Sequence, residues 1–213
     1  MFLRWYDKTM LIDLSVTINE KTPIYPGDPA TKIKQVGVLE HDGYTDHYVS
    51  LGTHAGTHID APMHMLPNAK SLDQIPVEQF VGRGCYIKVV GKIFDIETVK
   101  AADIQAGDIV LFHTGMSDNY HDAKYFEVYP AMSAEIADYL VAQKVKMVGV
   151  DSCSVDNRDG FLIHKALLSG NVLIIENLTN LTHLAGKNFT VYALPIKLDI
   201  DGAPARVVAE VKD

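Results

Sequence analysis

The stretch His164-Lys165-Ala166-Leu167-Leu168-Ser169-Gly170-Asn171-Val172-Leu173-Ile174-Ile175-Glu176 decides the class of fold. A helical run from about His164 through Leu168 meets Gly170, the residue that ends helices most readily, and then four apolar, mostly branched residues of the kind buried strands favour. The same unit occurs just upstream. After Pro130, Ser133 suits the capping position and Glu135 the first turn, while Ile136, Tyr139, Leu140 and Gln143 keep helical spacing before the apolar run Met147–Val150. Helix and strand therefore alternate in this half. Toward the N-terminus, Leu11–Val16, Cys85–Val90 and Ile109–Phe112 read as strands, and Tyr25-Pro26-Gly27-Asp28-Pro29 reads as a rigid loop built on a type II turn. Val191–Leu198 and Arg206–Val211 read as a terminal β pair joined across Asp201-Gly202. The expectation is an α/β class: a single mixed α/β domain over residues 1–213, with a β-rich first half, helix-strand alternation in the second, and no repeats.

Composition narrows the function. With 213 residues, 47% of them hydrophobic, the chain can bury a sizeable core. The net charge of -8 comes without any Lys/Arg cluster that could track a phosphate backbone, so nucleic acid is not an expected partner. No apolar run approaches the roughly 20 residues of a spanning helix, and Met1–Lys8 places charge where a signal peptide needs apolar residues. A cytoplasmic protein with no membrane contact is expected. The only two cysteines, Cys85 and Cys153, stand far apart, which excludes a disulfide framework and suggests two inert buried thiols in a reducing compartment.

Residues 54–64 read His-Ala-Gly-Thr-His-Ile-Asp-Ala-Pro-Met-His, three imidazoles and a carboxylate within eleven positions. Imidazole and carboxylate are ligands that zinc accepts at sites with a position left open for water. In a helical turn His54 and His58 would share a face; in an extended segment His58 and Asp60 would, and Gly56 permits a bend between the two. Pro62 rules out one long helix through them. The bland account, surface histidines with Asp60 as a helix cap, suits any single residue better than it suits the set. A carboxylate can bridge two ions, and His164 and Glu176 at the ends of the second helix-strand unit are candidates for a second ion. A helix-terminal His164 and an edge-strand Glu176 remain equally open on spacing alone.

The signature His54-Ala-Gly-Thr-His58-Ile-Asp60-Ala-Pro-Met-His64 resembles the His-x-Gly-Thr-His-x-Asp-x-Pro-x-His pattern of the metal-dependent cyclase family, which includes bacterial kynurenine formamidases and isatin hydrolases. Shorter echoes are Pro26-Gly27-Asp28, Gly149-Val150-Asp151-Ser152 with Ser154-Val155-Asp156, Glu176-Asn177-Leu178-Thr179-Asn180-Leu181, Ala193-Leu194-Pro195, and Gly202-Ala203-Pro204-Ala205-Arg206. The resemblance implies two divalent ions, zinc first and manganese second. By it, His54, His58 and Asp60 hold one ion, and Asp60 bridges to a second held by His164 and Glu176. It also implies that His64 transfers protons, that the fold is of a swivelling β/β/α kind, and that the chain assembles as a homo-oligomer, dimer or tetramer. Tyr25 stands where formamidases commonly place a pocket-wall Trp, and His113-Thr114-Gly115-Met116 where an Arg-Thr-Gly-Trp-like stretch is expected near the site.

The chemistry this implies is hydrolysis of a small molecule. A bound metal brings the pKa of water from about 15.7 to about 7, so attack on an amide, formamide or lactam carbonyl needs no strong side-chain base. His64, with an ordinary imidazole value of about 6.5, suits protonation of the leaving nitrogen, unless it is itself a ligand. The leading expectation is an arylformamidase acting on a substrate such as N-formylkynurenine, with lactam opening of the isatin type next. A mononuclear iron oxygenase on a two-His, one-carboxylate triad and a metal-holding scaffold are the alternatives of other classes. Asp151 reads as a capping or supporting residue, Arg206 as one half of an ion pair, and His41, His47, His121 and His183 as ordinary surface or packing residues.

Overall fold

The computed structural model describes residues 9–91, 93–157 and 160–212; the expectation resting on Met1–Lys8 lies outside the described residues. Along the chain come β1 (Met10–Asp13), β2 (Lys32–Gly37), α1 (Leu39–Asp42), β3 (Asp46–Ser50), β4 (His58–Asp60), β5 (Val81–Lys88) and α2 (Ile96–Ala101). There follow β6 (Ile109–His113), α3 (Ala134–Ala142), β7 (Met147–Val150), α4 (Leu162–Ser169), β8 (Leu173–Glu176), β9 (Phe189–Pro195) and β10 (Gly202–Val211). The mixed α/β class expected from the sequence is the one observed. Among the described residues, no helix is long and apolar enough to cross a membrane.

One sheet has the order β1-β10-β4-β8-β7-β6-β5-β9, and β9 pairs back onto β10, so the sheet closes into a barrel-like ring. Strands β5 to β8 run parallel, while β4 joins β8, and β9 joins β5, antiparallel. Closure depends on β10, whose Gly202–Pro204 pair with β4 while Ala205–Val211 pair with β9. The terminal β pair expected from the sequence is present as β9 against β10, but its turn does not lie at Asp201-Gly202: Gly202 is already the first residue of β10, in register with Asp60. The turn at Tyr25 is present, with Asp28 N–H donating to Tyr25 O at 3.0 Å and Gly27 at φ +104°.

Parallel strands covered on both faces bury both sets of side chains. Ile109, Leu111, Leu173 and Ile175 join Ile59, Val191 and Val207 in one core, whereas Val110, Phe112, Val148 and Ile174 join Ile136, Leu140 and Leu167 from α3 and α4 in a second. Helix α3 starts where expected, Ser133 accepting from Ile136 N–H. Helix α4 starts at Leu162, two residues before the expected point. The β2–β3 ribbon, which the sequence did not single out, forms a separate two-stranded sheet whose β3 residues are all exposed.

Leu167 on α4 is fully buried in the second core. Leu167→Ala should therefore cost about 2–5 kcal/mol in urea unfolding; a change near zero would mean that α4 is not packed as described.

Candidate metal centre

Because β4 is extended, His58 and Asp60 lie on one face and Ile59 points into the first core. The antiparallel neighbour β8 sets Glu176 directly opposite His58. Both fall on the face covered by α4, which contributes His164. Of the two geometries left open by spacing, the extended one holds for His58 and Asp60. His54 sits in the preceding turn, and Gly56 at φ +65° makes the bend; a Cβ there would also lie 2.7 Å from Ile18 Cγ1.

The residues converge closely. His54 Nδ1 is 2.8 Å from Asp60 Oδ1, and His58 Nε2 is 3.4 Å from both Asp60 Oδ1 and Glu176 Oε2. His164 Nε2 lies 3.2 Å from Glu176 Oε1 and 3.6 Å from Asp60 Oδ2. Two sets of donor atoms are close enough to share an ion, His54 with Asp60 and His64, and His58 with Asp60 and Glu176. Asp60 is common to both. This grouping differs from the expected one in placing His64 beside His54.

Supporting bonds orient the rings. His58 Nδ1–H donates to Gly56 O at 2.8 Å, and the Asn177 side chain donates to the same carbonyl at 2.9 Å while accepting from Tyr125 Oη–H. His164 Nδ1–H donates to Asp156 at 2.8 Å. The same carboxylate accepts from Ile163 N–H and His164 N–H, capping an α4 whose preceding residue, Phe161, offers no side-chain cap. With Nδ1 engaged, each ring turns its Nε2 toward the carboxylates, the arrangement by which metal-ligating histidines are oriented.

A divalent cation fits these residues on the structure's own terms. His58 Nε2, Asp60 Oδ2 and Glu176 Oε1 are buried with no hydrogen-bond partner, and leaving such an atom unpaired costs about 1–3 kcal/mol, more when it is charged. Among the described residues, neither carboxylate pairs with a Lys or Arg. Without a cation, burial pushes both carboxyls up, and Glu176 feels the Asp60 charge as well, yet the adjacent imidazoles hold them below the usual range. Burial opposes charge on His58 and His164, but their carboxylate partners outweigh it and raise both to about 10. Burial lowers His64 below its ordinary value.

The cluster floors a cavity of about 280 Å³ whose walls include Tyr25, Met65, Phe126 and Phe161. Tyr25 packs edge-on against Phe126 with centroids 5.8 Å apart, and Phe161 adopts the left-handed backbone at φ +50°. His54, His58, His64, His164, Glu176 and Tyr25 thus meet at one cavity. His113 does not: its Nδ1 is 2.7 Å from Tyr86 Oη, and Met116 packs with the cluster of Tyr120, Tyr125, Tyr129 and Cys153 instead. Asp151 accepts from Thr114 and Gly115 N–H groups and so supports that turn. Cys153 is buried at the cavity, Cys85 only half-buried, and burial raises both thiols. Arg206 forms an exposed fork with Asp13, and His41, His47, His121 and His183 are exposed. Two supporting residues went unassigned in the sequence: Asp156, present only in a family echo, and Asp201, read as a turn. Asp201 Oδ2 lies 2.9 Å from His54 Nε2 and 3.3 Å from His64 Nδ1.

Fold and site together define a mixed α/β protein with a buried histidine-carboxylate cluster able to hold metal. The model of the putative cyclase family matches residues 12–157, and the chain belongs to that family. It is 37% identical to an uncharacterized protein of Methanocaldococcus jannaschii over 87% of this chain and 91% of that one. It is 30% identical to a kynurenine formamidase of Bacillus cereus over 92% of this chain and 95% of that one. Among solved structures, a potential metal-dependent hydrolase with cyclase activity superposes at TM-score 0.81 with 31% identity, covering 96% of this chain and 99% of that chain. An isatin hydrolase bound to the product analogue thioisatinate superposes at 0.89 with 22% identity, covering 97% and 94%, which speaks to the fold alone.

The raised imidazoles carry opposite consequences for the metal-free fold and for metal uptake. The stability they contribute is full below the unfolded value of about 6.5 and is lost as pH climbs toward about 10. An ion must displace those protons, so affinity rises over the same window. Melting of metal-free protein and zinc titration at pH values of about 6.5 and about 9 should show a falling Tm and a rising affinity; the opposite trend in either would contradict the assignment of these nitrogens.

Proposed function

We propose that this protein is a metal-dependent hydrolase that cleaves a carbon-nitrogen bond of a small aromatic amide, most like an arylformamidase releasing formate from a substrate such as N-formylkynurenine. The observation that carries this reading is the meeting of unpaired buried donor atoms around Asp60, at the floor of an aromatic-walled cavity, beside a histidine held below its ordinary pKa. Lactam opening of the isatin type is the neighbouring reading, supported by the same planar, aromatic walls. Membership of the cyclase family and the names of the formamidase and hydrolase relatives support hydrolysis as the reaction class.

His54, His58 and Asp60 would hold one ion, and Asp60, His164 and Glu176 a second, zinc or manganese. When bound, the metal supplies Lewis acidity and a low-pKa water. The chain supplies the rest. Tyr25, Phe126 and Phe161 stack against the aromatic part of the substrate and exclude water from its faces. His64, neutral at working pH because burial disfavours its charge, accepts a proton during attack and returns it to the leaving nitrogen. Asp156 and Gly56 O keep the ligand rings aimed. A scaffold role is disfavoured by ligand residues that line an open cavity, and an oxygenase triad by a second buried carboxylate beside it.

A homo-oligomer belongs to the same reading. The β2–β3 ribbon carries exposed Val36, Tyr48 and Val49, and a lone two-stranded ribbon is marginal in water. A second copy of the chain is the proposed cover. Light scattering should give a dimer or tetramer that the double substitution Tyr48→Asp with Val49→Asp lowers to monomer; a monomeric parent protein would exclude this.

Metal-loaded protein offered N-formylkynurenine and isatin should release formate from the first or the ring-opened acid from the second, while oxygen uptake on either substrate would instead support the oxygenase. His64→Ala should keep its metal and lose about 10²–10⁴-fold in turnover; loss of metal along with activity would make His64 a ligand.

A further inference from the structure

Asp201 stands outside the proposed ligand set, yet it bonds imidazoles on both the ligand and the proton-transfer side of the site. Its Oδ2 meets two imidazoles at once, His54 Nε2 at 2.9 Å and His64 Nδ1 at 3.3 Å, and those two rings stack with centroids 4.0 Å apart. The backbone beneath the carboxylate is fixed. Asp201 O accepts from Ala61 N–H at 2.8 Å, Ile200 O and Leu198 O accept from Leu72 and Asp73, and the next residue, Gly202, is in register with Asp60. Gly202 itself has no room for a side chain, since a Cβ would sit 2.9 Å from His54 Cε1. The segment is therefore built around the His54 ring, and its backbone holds the Asp201 side chain within reach of both imidazoles.

We infer that Asp201 is a positioning residue that fixes two tautomers together, holding His54 with Nδ1 toward Asp60 and His64 with Nε2 as the proton-accepting nitrogen. An imidazole has one N–H to donate when neutral, and the bond that N–H makes decides which nitrogen keeps the lone pair. By taking the His54 Nε2–H, Asp201 leaves Nδ1 as the donor atom on the Asp60 side. By taking the His64 Nδ1–H, it leaves Nε2 free on a ring that lines the cavity. A carboxylate in this place acts as the acid does in a serine-protease triad: it sets ring orientation without reacting itself. One residue thus couples the ligand side of the site to its proton-transfer side. The inference rests on the roles proposed above for His54 and His64.

The test uses the full-length protein with ¹⁵N-labelled histidine side chains, comparing the parent with Asp201→Ala and the isosteric Asp201→Asn, and reading the ring nitrogens, zinc affinity, KM and kcat. Expected are an Nδ1–H signal for His64 in the parent that is lost in the Ala variant, zinc affinity about 10–100-fold weaker, and kcat falling while KM holds. The Asn variant, which keeps an acceptor oxygen without the charge, should lie between, and it decides by the same signals if the Ala variant fails to fold. Unchanged His64 ring nitrogens together with parental zinc affinity would overturn the inference. If the parent takes up no zinc, the hydrolase reading falls; the His64 signal in metal-free protein then decides alone, its loss on substitution supporting the positioning role and its retention excluding it.

Discussion

Two carboxylates, Asp60 and Glu176, are buried under α4 on neighbouring strands, and the arrangement of the site follows from what that burial requires. Moving an unpaired charge out of water is expensive enough that such groups ordinarily neutralise or find a partner. Here the partners are imidazoles rather than Lys or Arg side chains. Imidazoles can give up their protons to an entering cation, which a guanidinium cannot. The cluster is therefore suited to conversion: protons hold it together without metal, and an entering divalent ion would take their place.

The barrel-like closure makes this geometry possible. Antiparallel pairing of β4 with β8 puts His58 opposite Glu176, and pairing of β10 with β4 brings Gly202, and with it Asp201, alongside Asp60 and His54. Parallel pairing of β7 with β8 forms the part of the sheet face onto which α4 packs, delivering His164 from above. Each of these two imidazoles is then held from behind by a different part of the chain, His58 by Gly56 and His164 by Asp156. Such second contacts are what convert a cluster of suitable residue types into a preorganised site.

What could be read from the sequence was what is local. The Ser133 cap, the helix-strand units ending at Val150 and Glu176, and the turn at Gly27 depend on neighbours a few positions away, and the structure reproduces them with ends shifted by a few residues. The His54–His64 cluster was visible because three imidazoles and a carboxylate fall within eleven residues. Pairings across the chain were not visible. Gly202 resembled a turn residue because the strand that needs its missing side chain is built around a ring 148 positions earlier. Asp201 and Asp156 act on imidazoles 147 and 8 positions away, and no periodicity marks either. His113 was expected near the site by analogy, but its neighbour Tyr86 on the adjacent strand takes it elsewhere.

The most direct test of the account is anomalous diffraction from crystals of the protein loaded with zinc. The account predicts density within about 2.0–2.2 Å of an Asp60 oxygen and of the imidazole nitrogens facing it. Zinc found only on surface residues, with Asp60 and Glu176 left bonded to the imidazoles alone, would contradict it.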